Sequence, residues 1–275
     1  MKTYGAAIRQ VRKNKSLSQS DVSNNILART TISKIENNNI TPTITTVESI
    51  IIKLDVTMDE LRYIKNNYQL STREEIITDF FKLVSNTQTE LLMDIISRCN
   101  IYTTNHSKDR LLEDISIVLN AALLLANNEF EHAQELVKPI WKRLEKIDHF
   151  SLIEIRLVCN ILFYFPLEVI EKFVPRLLTM IDKYQALDKT LNSLKAALLI
   201  NTASIFMQSN SAITTTSLNT AIVIAKDINR FDLLASAYYL QGVNTDDFNL
   251  IAKAKNIFLA IEKEDILFQF EKEYL

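Results

Sequence analysis

Apolar side chains in the first 65 residues recur every three or four positions, in five short blocks separated by polar residues. This spacing places the apolar side chains of each block on one face of a helix. The pattern therefore predicts five short helices in this segment. Their apolar positions are Tyr4, Ile8 and Val11; Val22 and Ile26; Ile32 and Ile35; Val47, Ile51 and Leu54; and Met58 and Leu61.

Polar residues between the blocks mark where these helices begin and end. Ser18 is placed to cap the second helix, and Thr57 with Glu60 three residues later forms a capping-box pattern for the fifth. The asparagine run at 37–39 ends the third helix, because asparagine tolerates the left-handed conformation. The fourth helix is predicted to start at residues 41–43.

From about residue 73 the chain reads as a series of paired amphipathic helices. The starts of the pairs are separated by 37, 40, 40 and 41 positions, and the helices are separated by short polar breaks. A period near 40 residues with two helices per unit is typical of an α-solenoid. Pro139 and Pro175 fall inside helical patterns, so each is expected to kink or restart its helix. The predicted starts are near Arg73, Arg110, Phe150, Thr190 and Phe231, and a final capping helix begins at Glu264.

Composition supports helices and argues against several chemistries. The 275 residues include two glycines, Gly5 and Gly242, and four prolines, whereas phosphate-binding loops and sheet-rich folds need more glycine. Cys99 and Cys159 stand 60 positions apart, without the spacing of a zinc site, and the three histidines lie on separate segments. We therefore expect no catalytic set, no metal site and no cofactor.

Charge is divided unevenly along the chain. Residues 1–65 carry ten cations and six anions, a balance of +4, whereas the remainder carries 21 cations and 27 anions, a balance of −6. A basic head, here residues 1–65, on an acidic body, here the remaining residues, is expected where only the head meets a polyanion. No signal segment and no bilayer-length apolar stretch is present, so the chain is expected to be cytoplasmic, without a membrane partner.

Three motifs of the head occur in a recognisable order. They are Gly5-x-x-Ile8-Arg9-x-x-Arg12, then Leu17-Ser18-Gln19, then Thr31-Ile32-Ser33-Lys34-Ile35-Glu36. Together they resemble the helix-turn-helix domain of the Cro/C1-repressor (XRE) family. The run 25–33 is one residue shorter than the usual phage-repressor pattern, and with the chain length this resembles the Rgg/MutR family of Gram-positive regulators.

The resemblance implies an all-α fold with two parts. The first is a lambda-repressor-like helix-turn-helix domain at residues 1–65. A linker at 66–72 leads to the second part, a TPR-like α-solenoid at 73–275, which serves regulation and dimerisation.

The resemblance also implies roles for residues of the head. Gln19, at the start of the second helix, would hold a DNA phosphate, and Arg12 and Glu36 would form a buried pair between the first and third helices. The chain departs from the family pattern at Ala28, which replaces the usual capping hydroxyl residue, and at Asn38, which replaces the usual glycine. The third helix would enter the major groove. Its residues that would meet base edges are Arg29, Thr30, Ser33 and Lys34.

Polar residues form lines on otherwise apolar helices of the body. Arg156, Asn160 and Tyr164 occur at i, i+4 and i+8, and two further lines contain Asn201 and Tyr239. One interpretation is a concave wall on which amides hold the backbone of an extended peptide and Arg156 takes its carboxylate end. The other is that these groups satisfy one another or neighbouring backbone groups. The spacing alone does not separate the two.

The family resemblance favours the first interpretation. Rgg-type regulators are homodimers whose helical repeats receive a short secreted peptide that the cell re-imports. The resemblance therefore implies a sequence-specific transcription regulator of quorum-sensing type that binds a double-stranded DNA operator. The alternative is a protein-interaction scaffold with only auxiliary DNA contact. The two functions differ in whether Arg29 and Lys34 are needed for sequence-specific binding.

Overall fold

The computed structural model describes residues 2–23, 27–83, 89–106 and 108–274. Across these residues the chain forms sixteen α-helices and one short 3₁₀ helix, with no β-strand. The all-α fold, predicted from the helical spacing of apolar residues and from the scarcity of glycine, is confirmed. Ile26, an apolar position of the predicted second helix, lies outside the described residues.

The chain divides into two compact units, Met1–Leu83 with Ile101–Lys108 and Val84–Asn100 with Asp109–Leu275. The sixth helix, expected to open the repeat region, thus lies in the first unit, and the predicted boundaries at residues 65 and 73 stay a prediction. The helices of the first unit are α1 Tyr4–Asn14, α2 Gln19–Val22, α3 Arg29–Glu36, α4 Ile44–Leu54, α5 Met58–Lys65 and α6 Thr72–Lys82.

Helix α7, Thr89–Asn105, contributes residues to both units. The remaining helices belong to the second unit, here called the body. They are α8 Arg110–Ala126, α9 Phe130–Leu144, α10 Leu152–Ile161, α11 Leu167–Tyr184, α12 Leu191–Phe206, α13 Ser211–Asp227, α14 Phe231–Thr245, α15 Phe248–Ala260 and α16 Glu264–Tyr274. The 3₁₀ helix, Leu162–Tyr164, follows α10 directly.

Helix ends in the first unit follow the predicted caps. Ser18 precedes α2 and Thr57 precedes α5, and each forms a reciprocal pair of hydrogen bonds with the residue three positions later, Asp21 or Glu60. Asn38, just after α3, has a φ of 60°, the left-handed conformation that glycine usually supplies. Local sequence therefore determines where these short helices start and stop.

Helices α1 to α5 enclose one apolar core, which includes nearly all of the described apolar positions predicted from the spacing. Gly5 permits a close approach within it, because a Cβ atom at this position would lie 2.0 Å from the carbonyl oxygen of Ile35. Helix α1 therefore packs directly on the end of α3. The buried residues of this core are Ala7, Ile8, Val11, Val22, Leu27, Ile32, Ile35, Val47, Ile50, Ile51, Leu54 and Leu61.

The body consists of helix pairs with the predicted period. Its first helices begin at residues 110, 152, 191 and 231, within two positions of the predicted starts. Successive first helices also pack on one another, α8 on α10, α10 on α12 and α12 on α14. The first helices therefore form a continuous layer, as in an α-solenoid.

The prolines of the body do not interrupt their helices. Helix α9 continues through Pro139 and α11 through Pro175, so neither helix restarts there. Pro166 directly precedes α11, where its fixed φ suits a helix start. Within the described ranges, no helix is both long enough and apolar enough to cross a membrane.

Candidate functional site

Helix α3 presents polar side chains on the face opposite its core contacts. Ile32 and Ile35 are buried and anchor the helix to the apolar core. The four residues predicted to meet base edges lie on the other side: Arg29, Thr30 and Lys34 are exposed and Ser33 is half-buried. Ala28 precedes the helix without a side-chain cap, as its residue type predicted.

A buried ion pair joins α1 to the end of α3. Arg12 donates from Nε to Glu36 Oε1 (2.6 Å) and from Nη2 to Glu36 Oε2 (2.7 Å), and its Nη1 donates to the carbonyl oxygen of Leu17. The buried Arg12–Glu36 pair predicted from the sequence is thus confirmed. Burial acts to raise the pKa of Glu36, but hydrogen bonds from Arg12 and Gln19 and the charge of Arg12 outweigh it and hold that pKa below its usual value.

Gln19 belongs to the same network. Its Nε2 donates to Glu36 Oε2 over 3.0 Å, and the side chain is half-buried at the start of α2. One N–H and the Oε1 acceptor of this carboxamide are left for other partners. Its predicted phosphate contact stays a prediction, but the position of the side chain is fixed by Glu36.

The predicted polar line on α10 is interrupted. Arg156 and Asn160 lie on α10, but this helix ends at Ile161 and Tyr164 lies in the 3₁₀ helix, with its side chain buried. The i, i+8 relationship on one helix face is therefore wrong for Tyr164. The α-helix gives way to a tighter 3₁₀ turn at residues 162–164, and the path ends at Phe165, which is extended as Pro166 requires of the residue before it. Burial raises the pKa of Tyr164 to about 12.

Arg156 already has a carboxylate partner within the chain. Its Nη2 donates to Asp188 Oδ2 (2.8 Å) and to Thr190 Oγ1 (2.6 Å), both in the segment just before α12. Asp188 Oδ1 in turn accepts from the backbone N–H and the hydroxyl of Thr190. This half-buried pair ties α10 to the start of α12, so its structural role is direct.

Asn160 and Asn201 are exposed, whereas Tyr239 is fully buried in α14. The Tyr239 hydroxyl has no hydrogen-bond partner among the described residues, and its ring lies 5.2 Å from that of Phe270. The five residues predicted to bind a peptide therefore separate. Asn160 and Asn201 present free surface, Arg156 is paired, and Tyr164 and Tyr239 are buried.

A residue that the sequence reasoning missed extends the pair of surface asparagines. The half-buried Asn120 of α8 precedes Asn160 by 40 positions, and Asn160 precedes Asn201 by 41, so each stands at an equivalent place in successive repeats. Asn120 and Asn160 share one conformation, because each Nδ2 donates over 2.8 Å to the carbonyl oxygen four residues earlier. The 40-residue period itself was the signal that could have identified Asn120. We call these three residues the asparagine row.

Gln241 of α14 follows Asn201 by 40 positions and continues the pattern with a longer carboxamide. Its Nε2 donates to Asn219 Oδ1 over 3.0 Å, so part of its hydrogen-bonding capacity is used within the body. The cysteines carry no comparable chemistry: burial raises the pKa of Cys99 to about 11 and that of Cys159 to about 12, which keeps both as thiols.

The sequence of the head matches a known domain family. Residues 8–61 match the family described as Helix-turn-helix (HTH_3). The chain therefore carries an XRE-type helix-turn-helix domain, followed by a body of helix pairs. No curated protein sequence matches the chain.

Solved structures share this fold over the whole chain. A protein of Listeria monocytogenes EGD-e, described as a transcriptional regulator, is 21% identical, with a TM-score of 0.75 and coverage of 99% of this chain and 98% of that one. The SHP pheromone receptor Rgg2 of Streptococcus dysgalactiae is 16% identical, with a TM-score of 0.67 and coverage of 98% of each chain. PlcR of Bacillus thuringiensis, solved with the peptide PapR7 and DNA, is 15% identical, with a TM-score of 0.71 and coverage of 98% of this chain and 99% of that one. The chain thus has the fold of peptide-responsive regulators.

Proposed function

We propose that this chain is a cytoplasmic transcription regulator, not an enzyme, which binds a double-stranded DNA operator as a homodimer. Its body binds a short signalling peptide in an extended conformation, and this binding changes DNA binding or activation. The observation that carries the proposal is the combination of an outward-facing polar surface on α3 with the asparagine row on the body.

The chemistry of α3 supports the DNA half of the proposal. Arg29 can donate two hydrogen bonds to the O6 and N7 atoms of guanine, and Lys34 adds a point charge about one turn further along the helix. Gln19 is held by Glu36 at the start of α2 and has one amide N–H free to donate to a phosphate. The +4 balance of residues 1–65 supplies the sequence-independent attraction to phosphates.

The asparagine row supports the peptide half. A carboxamide carries both donors and an acceptor, which is what an extended peptide backbone requires. Packed helices lie about 8–10 Å apart and an extended chain advances about 3.3 Å per residue, so neighbouring members of the row match backbone groups about three residues apart. A peptide of about seven residues spans the row on the same arithmetic.

The nature of the structural relatives supports both halves. One is described as a pheromone receptor, and PlcR was solved with a peptide and DNA together. ComR of S. thermophilus, which shares the fold with a TM-score of 0.67, was solved with DNA and its signalling peptide. These ligands belong to those proteins, and they indicate what to test on this chain.

The test begins with selection of DNA sequences by the full-length chain from a random duplex library. The selected sequence is expected to contain two half-sites, and the complex to contain two chains. Arg29→Ala and Lys34→Ala should each reduce affinity for it. Sequence-independent binding that tolerates both substitutions would instead support the interaction-scaffold alternative. Peptides selected on the full-length chain from a displayed library of short sequences then test the body.

A further inference from the structure

A small cavity lies against one member of the asparagine row. It has a volume of about 360 Å³ and is formed by one face of α8 with a contribution from α9. This volume falls at the low end of the range for ligand pockets, about 300–1,000 Å³, so it suits one large side chain better than a whole peptide. The lining residues are Ile117, Asn120, Leu123, Leu124, Asn127 and Leu136.

The cavity lies on the face of α8 that carries the row and not on its core face. Ile117, Asn120, Leu124 and Asn127 are separated by three or four positions, so they share one side of the helix. The residues that α8 buries in the body core lie on its other side, among them Val118. Apolar side chains that are only partly covered here are thus available to a ligand.

The lining also decides which chemistry can enter. Four of the six residues are aliphatic, two are amides, and none is charged. A charged group would lose part of its hydration without gaining an opposite charge, whereas an apolar side chain gains by leaving water. The two amides can meet the polar backbone that accompanies such a side chain.

Asn120 is oriented for that backbone contact. Its Nδ2 donates to the carbonyl oxygen of Ser116 over 2.8 Å, which fixes the carboxamide. Its Oδ1 accepts no hydrogen bond in the described structure, so the acceptor is left for an incoming N–H. A backbone acceptor and an apolar cavity therefore occur side by side.

We propose that this cavity is the specificity pocket of the peptide site: it binds one leucine-like or phenylalanine-like side chain of the extended peptide, while Asn120 Oδ1 accepts the backbone N–H of the same segment. The inference rests on the proposed function, because it takes the asparagine row as the path of the peptide. It adds that the α8 end of this path selects a large apolar residue.

A single capped amino acid tests the pocket without the unknown peptide. N-acetyl-leucinamide, titrated at millimolar concentration into the full chain with labelled methyl groups, should shift the NMR signals of Leu123, Leu124 and Leu136. N-acetyl-serinamide should bind at least about tenfold more weakly, because it lacks the apolar side chain. Shifts spread over the whole body, or equal shifts from both probes, would overturn the proposal.

Two variants and a matched control sharpen this test. Leu124→Asn and Asn120→Ala should each weaken N-acetyl-leucinamide binding at least about fivefold, by loss of the apolar wall and of the acceptor respectively. Leu259→Asn, at an exposed leucine of α15, makes the same substitution elsewhere and should leave binding unchanged. Thermal unfolding of each variant reports whether it is folded. Unchanged binding by both folded pocket variants would overturn the proposal.

A second experiment separates this proposal from the proposed function. In a positional-scanning set of eight-residue peptides, one position should bind about tenfold or more tightly with leucine or phenylalanine than with serine. Leu124→Asn should remove the preference at that position and leave the other positions unchanged. Peptide binding without such a position would overturn the pocket and leave the proposed function intact. Binding of N-acetyl-leucinamide in the cavity, with no peptide bound by the wild type or by any variant, would contradict the peptide function on which the proposal rests and leave only a cavity that binds apolar groups.

Discussion

The two carboxylate oxygens of Glu36 are each held by a different nitrogen of Arg12, at 2.6 and 2.7 Å. Glu36 is the last residue of α3, and Arg12 lies in the last turn of α1. Because Gln19 of α2 donates to the same carboxylate, one buried group fixes three helices. The orientation of the exposed face of α3 therefore depends on a buried charge.

Replacing this carboxylate should loosen the head. Glu36→Gln removes the charge and leaves the buried Arg12 guanidinium without its counter-ion, so we expect a loss of about 3 kcal/mol of stability. Amide hydrogen exchange in α1 and α3 of the full chain measures it. Asp59→Asn is the matched control, because Asp59 pairs with Arg62 at an exposed site and should cost under about 1 kcal/mol. Equal protection in the two variants would contradict a structural role for the buried pair.

The same pair predicts a pH dependence. The pKa of Glu36 is lowered in the folded chain from its ordinary value of 4.5, so its contribution to stability is complete above that value and is lost as the pH falls through the folded-state pKa. The difference in head stability between the wild type and Glu36→Gln should therefore be constant near neutral pH and shrink below about pH 4.5. Denaturant unfolding of both chains across pH measures this difference. A difference that grows on acidification would contradict the assignment.

Gly5→Ala should also damage the head, although alanine favours helices over glycine by about 0.5–1 kcal/mol. The new methyl group would lie 2.0 Å from the carbonyl oxygen of Ile35, so α1 and α3 must move apart, at an expected net cost of about 1–3 kcal/mol. Hydrogen exchange and DNA affinity should both reveal the change. Lys13→Ala, at an exposed position of the same helix, is the control. A Gly5→Ala chain as stable as the wild type would show that the close contact is easily relieved.

The sequence predicted those parts of the structure that depend on neighbouring residues. Caps at Ser18 and Thr57 and the 40-residue period involve contacts within a few positions or a regular repeat, and they were confirmed. The partner of Arg156 could not be predicted, because Asp188 is 32 positions away and no pattern links the two. The predicted position of Tyr164 on the α10 face was wrong for a local reason. The α-helix ends in a 3₁₀ turn just before the extended Phe165 and Pro166, so α-helical spacing does not extend to Tyr164.

The proposed DNA contact predicts different behaviour for two residues of the head. Arg29→Ala should cost about 1–3 kcal/mol on the selected operator and relax the preference at one base pair, because a base-edge donor is lost. Gln19→Ala should weaken binding to all sequences about equally, because a phosphate carries no sequence information. Fluorescence anisotropy on the operator and its single-base-pair variants measures both.

Arg62→Ala is the control, because it removes an exposed arginine that is already paired with Asp59. It should change only the salt-dependent, sequence-independent part of the DNA affinity, and that by little. Uniform loss in both Arg29→Ala and Gln19→Ala would make Arg29 a phosphate contact.

The asparagine row predicts a loss of peptide affinity without a loss of fold. Asn160→Ala removes a carboxamide whose described hydrogen bond is the local one to the Arg156 carbonyl, so thermal stability should change little. In the complex, however, peptide backbone groups would lose their partner in a desolvated site, which should cost about 1–3 kcal/mol of binding. Calorimetric titration of the wild type and the variant with a peptide selected on the full chain measures this. Asn256→Ala, at an exposed asparagine of α15 outside the row, is the control. DNA binding without peptide should be unchanged in both variants. Peptide affinity equal to that of the wild type, or a loss matched by lower thermal stability, would return Asn160 to a purely structural role.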